Sequence, residues 1–387
     1  MAVFLDMDRL RILIVGAGLA GLAAAHALRR AGFDPEVVDR TPSWEVVGTG
    51  IYLPANGSRA LRGLGLEQAV ADAGAEITHQ RILDTRGRVL VDVELHGFWG
   101  AVGSCLGLHR ADLHAILRDG VAVGLGTGIR GIDRVEGPGP VEVTFDDGRQ
   151  GVYDLVVGAD GLRSTVRRLA VDNRPPAPVG QHSWRYVTTS PVATTAWSLV
   201  LAVRSSFLTI PIGRGLVYVY ADVLTTPGGS EAHERGISGR QSDPTRELRR
   251  HFAGFPGPVP ELLERLPEPG RIHVAPIEQV AEERWGRGAV VLIGDAAHAM
   301  SPNMAQGAAL AFEDALVLTA ELQNAGTVTE ALAAFTSRRH PRASWVRAQT
   351  HRRDRTRRLP LPLRNPLLRA AGARIYHANY HPLLDPP

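Results

Sequence analysis

The amino-acid sequence predicts an α/β fold: a parallel-sheet layer interleaved with a second β-sheet layer, followed by a C-terminal helical segment. Three observations carry this. Apolar stretches at 10–15, 154–158 and 289–293 each run into glycine, as buried parallel strands covered on both faces do. Between the last two, from about Gln181 to Val223, the pattern changes to short alternating strands. Beyond Thr327 it turns helical and rich in Arg.

The first element is the strand Leu10–Val15, which enters Gly16-Ala17-Gly18-Leu19-Ala20-Gly21, a helix over Leu22–Arg30 and a second strand, Glu36–Asp39. This is a Rossmann-like βαβ start in the context that gives a GxGxxG run its meaning. Gly16 allows the tight turn, Gly18 lets the backbone approach a pyrophosphate, and Gly21 lets the helix pack on the strand. The helix N-terminus offers amides and a positive dipole end to the phosphates. Asp39 stands where a ribose diol is accepted, with Arg40 beside it. A second GxGxxG, Gly126 to Gly131, continues as a strand pattern to Glu136 and meets Gly137-Pro138-Gly139-Pro140, so it opens no helix and is read as a decoy.

Two further segments follow the same plan. Asp154–Gly158 leads into Ala159-Asp160-Gly161 and a basic helix. Ala289–Ile293 leads into Gly294-Asp295-Ala296-Ala297-His298, then Pro302, Gln306-Gly307 and a helix carrying Glu313-Asp314. In open α/β sheets the carboxyl edge of the strands is where ligands bind. Taken singly, Asp160 or Asp295 could equally cap a helix.

With these three segments in this order, the chain resembles the group A flavoprotein monooxygenases, the p-hydroxybenzoate hydroxylase-like family, and most of all its short urate, salicylate and hydroxybenzoate hydroxylases. The resemblance implies a Rossmann-like FAD-binding domain, FAD as cofactor, NADH or NADPH as co-substrate, and O2. It implies hydroxylation of a small aromatic or heteroaromatic substrate through a flavin C4a-hydroperoxide. By position, Asp295 would bond the ribityl chain, Asp160 and Gly161 would lie beside the pyrophosphate, and Arg110 would contact the linking region. Gly48 and Gly50 would skirt the flavin ring, and Pro302 to Gly307 would form the loop at its reactive face. Two positions depart from the family: Asp39 where Glu is usual, and Ala305 where glycine is frequent.

The substrate-side strands are expected at His182–Thr189, Trp197–Arg204, Phe207–Ile212 and Leu216–Val223. Tyr218, Tyr220 and Asp222 share one face by alternation. The resemblance places a tyrosine near Tyr218 against substrate, so Tyr218 is expected to orient or help deprotonate a ring hydroxyl. Arg204 is the second candidate catalytic residue, because the arginine that urate-type enzymes carry before the proline is Ser206 here. His298 is expected to be structural.

Expected boundaries are 1–80, 105–175 and 285–326 for the FAD layer, 81–104 and 176–284 for the substrate layer, and 327–387 for the C-terminal segment.

Composition narrows the chemistry. With 387 residues, 44% hydrophobic and 21% charged, the chain is an ordinary globular protein. All 43 basic residues are Arg, so lysine Schiff bases and a P-loop lysine are excluded. The single Cys, Cys105, excludes an intrachain disulfide and any CxxC site. His377 and His381 have helical spacing without a third metal ligand nearby, and no metal is expected. No apolar run reaches membrane length and acids interrupt Met1–Leu10, so a cytoplasmic protein is expected, monomer or homodimer. Ser337–Arg374 holds twelve Arg against Asp354 alone, a local charge of +11. Without a nucleic-acid module beside it, this run reads as a solvated amphipathic helix rather than a nucleic-acid arm. The readings weighed against the hydroxylase are a monooxygenase for larger polycyclic compounds and a flavin oxidase or dehydrogenase. A flavin halogenase is opposed by the missing signature and missing Lys.

Overall fold

A computed structural model describes residues 10–44, 48–137, 139–225, 243–280 and 284–387. The N-terminal residues read above for a leader pattern lie largely outside this set, as does Pro138.

The parallel layer is a six-stranded sheet in the order β18-β19-β12-β1-β2-β8. Its members are β1 (Ile12–Val15), β2 (Glu36–Asp39), β8 (Gly124–Leu125), β12 (Leu155–Gly158), β18 (Gly286–Arg287) and β19 (Val290–Leu292). All pairs are parallel except β18 with β19. Ile12 to Ile14 and Leu155 to Val157 are buried, as strands between two helical layers require. Val15 stands beside Gly158, and Gly158 beside Leu292, so three carboxyl ends align at one edge.

Of the decoy glycines, Gly126 and Gly128 fall between β8 and β9 (Ile129–Asp133) and Gly131 lies within β9, which joins β10 (Val141–Phe145) and β11 (Gln150–Tyr153) in a separate sheet. A further small sheet holds β3 (Gly50–Leu53), β7 (Leu106–His109) and β4 (Ala75–Glu76).

The second layer is a seven-stranded sheet in the order β17-β13-β16-β15-β14-β5-β6. It comprises β5 (His79–Leu83), β6 (Val89–Glu94), β13 (Ala177–Thr189), β14 (Ala196–Leu201), β15 (Ser205–Pro211), β16 (Leu216–Leu224) and β17 (His273–Gln279). β13 begins five residues before the expected start and includes Pro178. A register shift between Pro178 and His182, with Gly180 at φ +73°, lets the strand bend there. β14 stops at Leu201, three residues short of expectation, because the chain turns back into β15. On β16, Val217, Val219, Ala221 and Val223 face a second core with Trp184, Phe207 and Phe252, while Tyr218, Tyr220 and Asp222 face the other way.

The helices are α1 (Leu19–Arg30), α2 (Ala55–Leu64), α3 (Glu67–Ala73), α4 (His96–Trp99), α5 (Arg110–Arg118), α6 (Pro244–Phe252), α7 (Val259–Glu264), α8 (Asp295–His298), α9 (Gly307–Asn324), α10 (Val328–Arg357) and α11 (Leu361–Tyr380). α1 starts three residues earlier than expected, at the glycine loop itself. α10 opens with a capping box between Thr327 and Glu330 and packs on α9. No helix among the described residues is long and apolar enough to cross a membrane.

The expectation of a solvated Arg-rich helix is corrected in part: Arg338, Arg352, Arg355, Arg358, Arg369 and Arg374 are exposed, but three others turn inward. Arg339 and Arg364 are fully buried and Arg357 is buried as well. Arg339 and Arg342 bind Glu313, Arg339 also binds Asp314, and Arg357 binds Asp222. Part of the charge that is unmatched in sequence is thus paired in space with acids from α9 and β16.

Candidate active site

The glycine loop is built by close approach. Gly16 has φ +107°, and a Cβ there would lie 2.5 Å from the Ala159 carbonyl oxygen. A Cβ on Gly21 would lie 1.8 Å from the Gly16 carbonyl oxygen, so α1 packs on the loop only through glycine. A Cβ on Gly18 would meet nothing within 4 Å, which leaves the side where a pyrophosphate binds open. No acid occupies the first turn of α1 to oppose an anion. Asp39 accepts from the amides of Ala17 at 2.7 Å and Thr41 at 2.8 Å, so it holds the loop from β2. Arg40 is exposed at the end of β2.

Asp160 turns inward, accepting from Ser164 Oγ at 2.5 Å and from the amides of Thr165 and Val166 at 2.6 and 3.1 Å. Burial raises its carboxyl above the usual value, and these bonds only partly offset that. Its contact is therefore with the following turn, which it caps. Gly161, at φ +79° with open space around a notional Cβ, carries the chain past that edge.

A cavity of about 710 Å³ lies between the two sheets, roofed by the C-terminal helices. Asp295, Arg110, Gly307 and the stretch Pro302–Gln306 line one side. Asp295 opens onto the cavity within electrostatic reach of Arg110. Arg110 sits deep in the protein yet stays accessible through the cavity; burial lowers its pKa and Asp295 opposes that shift. Ala305 adopts φ +52°, the left-handed conformation that favours the glycine frequent at this position. The loop is pinned by Gln306, which exchanges hydrogen bonds with Asn56 at 2.9 and 3.2 Å, and by Asn303, which donates to Asp354. Gly48 has open space around it. Gly50 presses on Tyr218: a Cβ there would lie 2.3 Å from the Tyr218 Cβ.

The opposite side is one face of the seven-stranded sheet, including Tyr218, Tyr220, Asp222 and Arg185. Burial raises the Tyr218 phenol, with Arg185 and Arg110 opposing, so it is a protonated donor at neutral pH rather than a base. Arg185, opposite Tyr220 across β13 and β16, holds its guanidinium 5.4 Å from the Tyr220 ring centre. The Arg185 Nε and the Tyr220 hydroxyl are buried without a hydrogen-bond partner, as is the Ser301 hydroxyl, and all three residues line the cavity. Buried polar atoms of this kind call for a partner, and where they line a cavity a ligand or an ordered water can supply it.

Arg204 is corrected as a catalytic candidate. It is exposed in the β14–β15 turn, donates to the Leu224 carbonyl at 2.9 Å, and does not line the cavity. Two residues from Ser206 take it off the end of the strand; the guanidinium beside Tyr220 on this sheet face is that of Arg185, three strands away from where the expectation put it. Ser206 does line the cavity and donates to Asp222 at 3.0 Å. His298 is buried and bonded to Asp314 at 2.7 Å.

Residues 9–350 match the FAD binding domain family. The aurachin C monooxygenase/isomerase of Stigmatella aurantiaca is 36% identical over 350 residues, covering 89% of this chain and 88% of the relative. The 2-heptyl-3-hydroxy-4(1H)-quinolone synthase of Pseudomonas aeruginosa is 32% identical, covering 88% and 87%. Klebsiella pneumoniae HpxO complexed with FAD and uric acid superposes with a TM-score of 0.80 at 22% identity, covering 98% of this chain and 93% of that one, which shows a shared fold. The open cradle at Gly18, the cavity-facing Asp295 and Arg110, and the orphaned donors opposite them fit the dinucleotide and its ring. The chain belongs to the FAD binding domain family and is an FAD-dependent monooxygenase of the aromatic-hydroxylase kind.

Proposed function

We propose that this protein hydroxylates a hydroxyl-bearing aromatic or heteroaromatic ring held between the Pro302–Gly307 loop and the sheet face that carries Tyr218, Tyr220 and Arg185. The observation that carries this reading is the set of orphaned donors on that face, gathered opposite the side that Asp295 and Arg110 line.

The loop Gly16–Gly21 and the N-terminus of α1 would hold the pyrophosphate of FAD, with Asp39 fixing the loop near the ribose. Arg110 and Asp295 would hold the linking and ribityl parts, and Gly48 and residues 302–307 would border the ring. When bound, FAD takes hydride from NADH or NADPH and, with O2, supplies one oxygen atom to the substrate while the other leaves as water. Tyr218 donates to the ring oxygen of the substrate and orients it. Arg185, permanently charged, favours the ionised form of that hydroxyl and so enriches the ring in electrons. The apolar lining from β14 and β15 and the cover of α10 and α11 keep water from the reacting carbon. The need for a nicotinamide reductant supports a cytoplasmic location, with a monomer or homodimer as the working unit.

Tyr218→Phe tests the assignment. It keeps FAD, and the yield of hydroxylated product per reductant consumed falls. An unchanged yield removes Tyr218 from the reaction.

A further inference from the structure

The cavity is polar at one end and apolar along the rest of its floor. Beyond β16, toward the edge strand β6, it is lined by Leu208 and Ile210 of β15, Leu199 and Leu201 of β14, Ile82 of β5 and Val91 of β6. Ile82 pairs with Leu199 on one side and Val91 on the other, so these side chains form a continuous row. Neighbouring strands stand about 4.8 Å apart, so the three steps from β16 to β5 make a floor on the order of 14 Å long. α11 covers this stretch with Leu368, Gly372, Ile375 and Tyr376.

Several polar groups near it are already engaged. Arg364 donates to the carbonyls of Leu201, Ala202 and Arg357, and Ser206 to Asp222. Gln80 adds one amide. At the far end α11 packs closely on β6: a Cβ on Gly372 would lie 2.4 Å from a Val91 methyl. The gallery runs from the head end, beside Tyr218, to the Gly372–Val91 contact. A small phenol fills only that head end.

We propose that the substrate carries a linear apolar tail on its aromatic head, and that the tail lies in this gallery between the β15–β14–β5 floor and α11. The inference rests on the hydroxylase reading of the head site, and it assigns the substrate class: an alkyl- or prenyl-type chain on a hydroxylated or oxo-substituted ring. Burying such a chain removes apolar surface from water on both sides, which supplies affinity that a bare ring lacks.

The probe is a series of 4-quinolones bearing 2-methyl, propyl, pentyl, heptyl or nonyl chains, titrated into FAD-loaded protein and followed by the flavin difference spectrum. Affinity rises by about fourfold per added methylene until the chain reaches the Gly372–Val91 stop. Ile82→Trp and Leu199→Trp, each checked for retained FAD, lower the heptyl-to-methyl affinity ratio by about tenfold or more. Affinity that is flat or falls with chain length, no spectral change with the long-chain members, or an undiminished ratio in both Trp variants overturns the inference. The hydroxylase reading fails separately: a chain-length dependence in binding, with no oxygenated product by mass and no reductant consumed, leaves the gallery and removes the reaction.

Discussion

Arg339 lies fully buried against Asp314, with Nε 2.8 Å from Oδ1, and the other oxygen of that carboxylate takes the His298 ring at 2.7 Å and the Gly294 amide at 3.0 Å. A residue of the C-terminal helix α10 thus balances the charge beneath the turn that presents Asp295. Removing one partner of a buried pair leaves an uncompensated charge. Arg339→Met is expected to cost about 3–5 kcal/mol and to lower bound flavin per chain, read by thermal unfolding and by absorbance. A loss of stability within that of an ordinary surface change contradicts this.

The same carboxylate sets an acid limit. Burial alone would raise the Asp314 carboxyl, but His298 and Arg339 outweigh it and hold it at about 2, against an ordinary 3.8. A carboxyl with a lower value folded than unfolded stabilises the protein above its unfolded value, and that contribution is lost as pH falls toward the folded one. Stability therefore declines in the window from about pH 4 down to about pH 2. Asp314→Asn removes Asp314's share of this slope, which unfolding measurements across that window detect.

Gly50 and Tyr218 are in contact through backbone and ring root. Gly50→Ala places a methyl 2.3 Å from the Tyr218 Cβ and 2.4 Å from its Cγ, so the ring moves. Overpacking of this kind costs about 1–3 kcal/mol. The expected signature is retained FAD with less product per reductant consumed, because Tyr218 is displaced while the glycine loop is untouched.

The two arginines considered for the substrate side separate cleanly. Arg185→Met removes a charged donor from the cavity, worth about 1.5–3 kcal/mol for a hydrogen bond to a charged group. A rise in KM of about tenfold or more follows for a ring bearing an ionisable hydroxyl. Arg204→Met, at an exposed turn, leaves KM near the parent value. Equal effects at both positions count against the assignment of Arg185.

The parallel layer was legible because local chemistry determines it. Gly16, Gly21 and Gly158 are required by approaches that a Cβ blocks, and strands buried on both faces read as unbroken apolar runs. The face shared by Tyr218, Tyr220 and Asp222 followed from the two-residue period. What escaped were relations set by tertiary register. Arg185 faces the cavity because β13 pairs with β16 so that it stands opposite Tyr220, and no local pattern encodes that pairing. Arg204 looked well placed by distance along the chain, but a turn removed it. The buried Arg339 and Arg357 of α10 looked solvated because their partners, Glu313, Asp314 and Asp222, are distant in sequence, and Arg364 of α11 because it binds the carbonyls of Leu201 and Ala202 on another layer. Asp160 shows the limit of motif reading: the residue marks the right edge of the sheet, yet its side chain caps the next turn.

The most direct test is one assay on the purified protein. Its visible spectrum is recorded, and NADH and NADPH oxidation under O2 is followed with hydroxylated aromatic and heteroaromatic compounds, with products identified by mass. A yellow protein whose oxidation of reductant rises with one compound, and which adds one oxygen atom to it, is the predicted result. A colourless protein that cannot be reconstituted with FAD, or a yellow one that consumes reductant with a compound and returns it without added oxygen, contradicts the account.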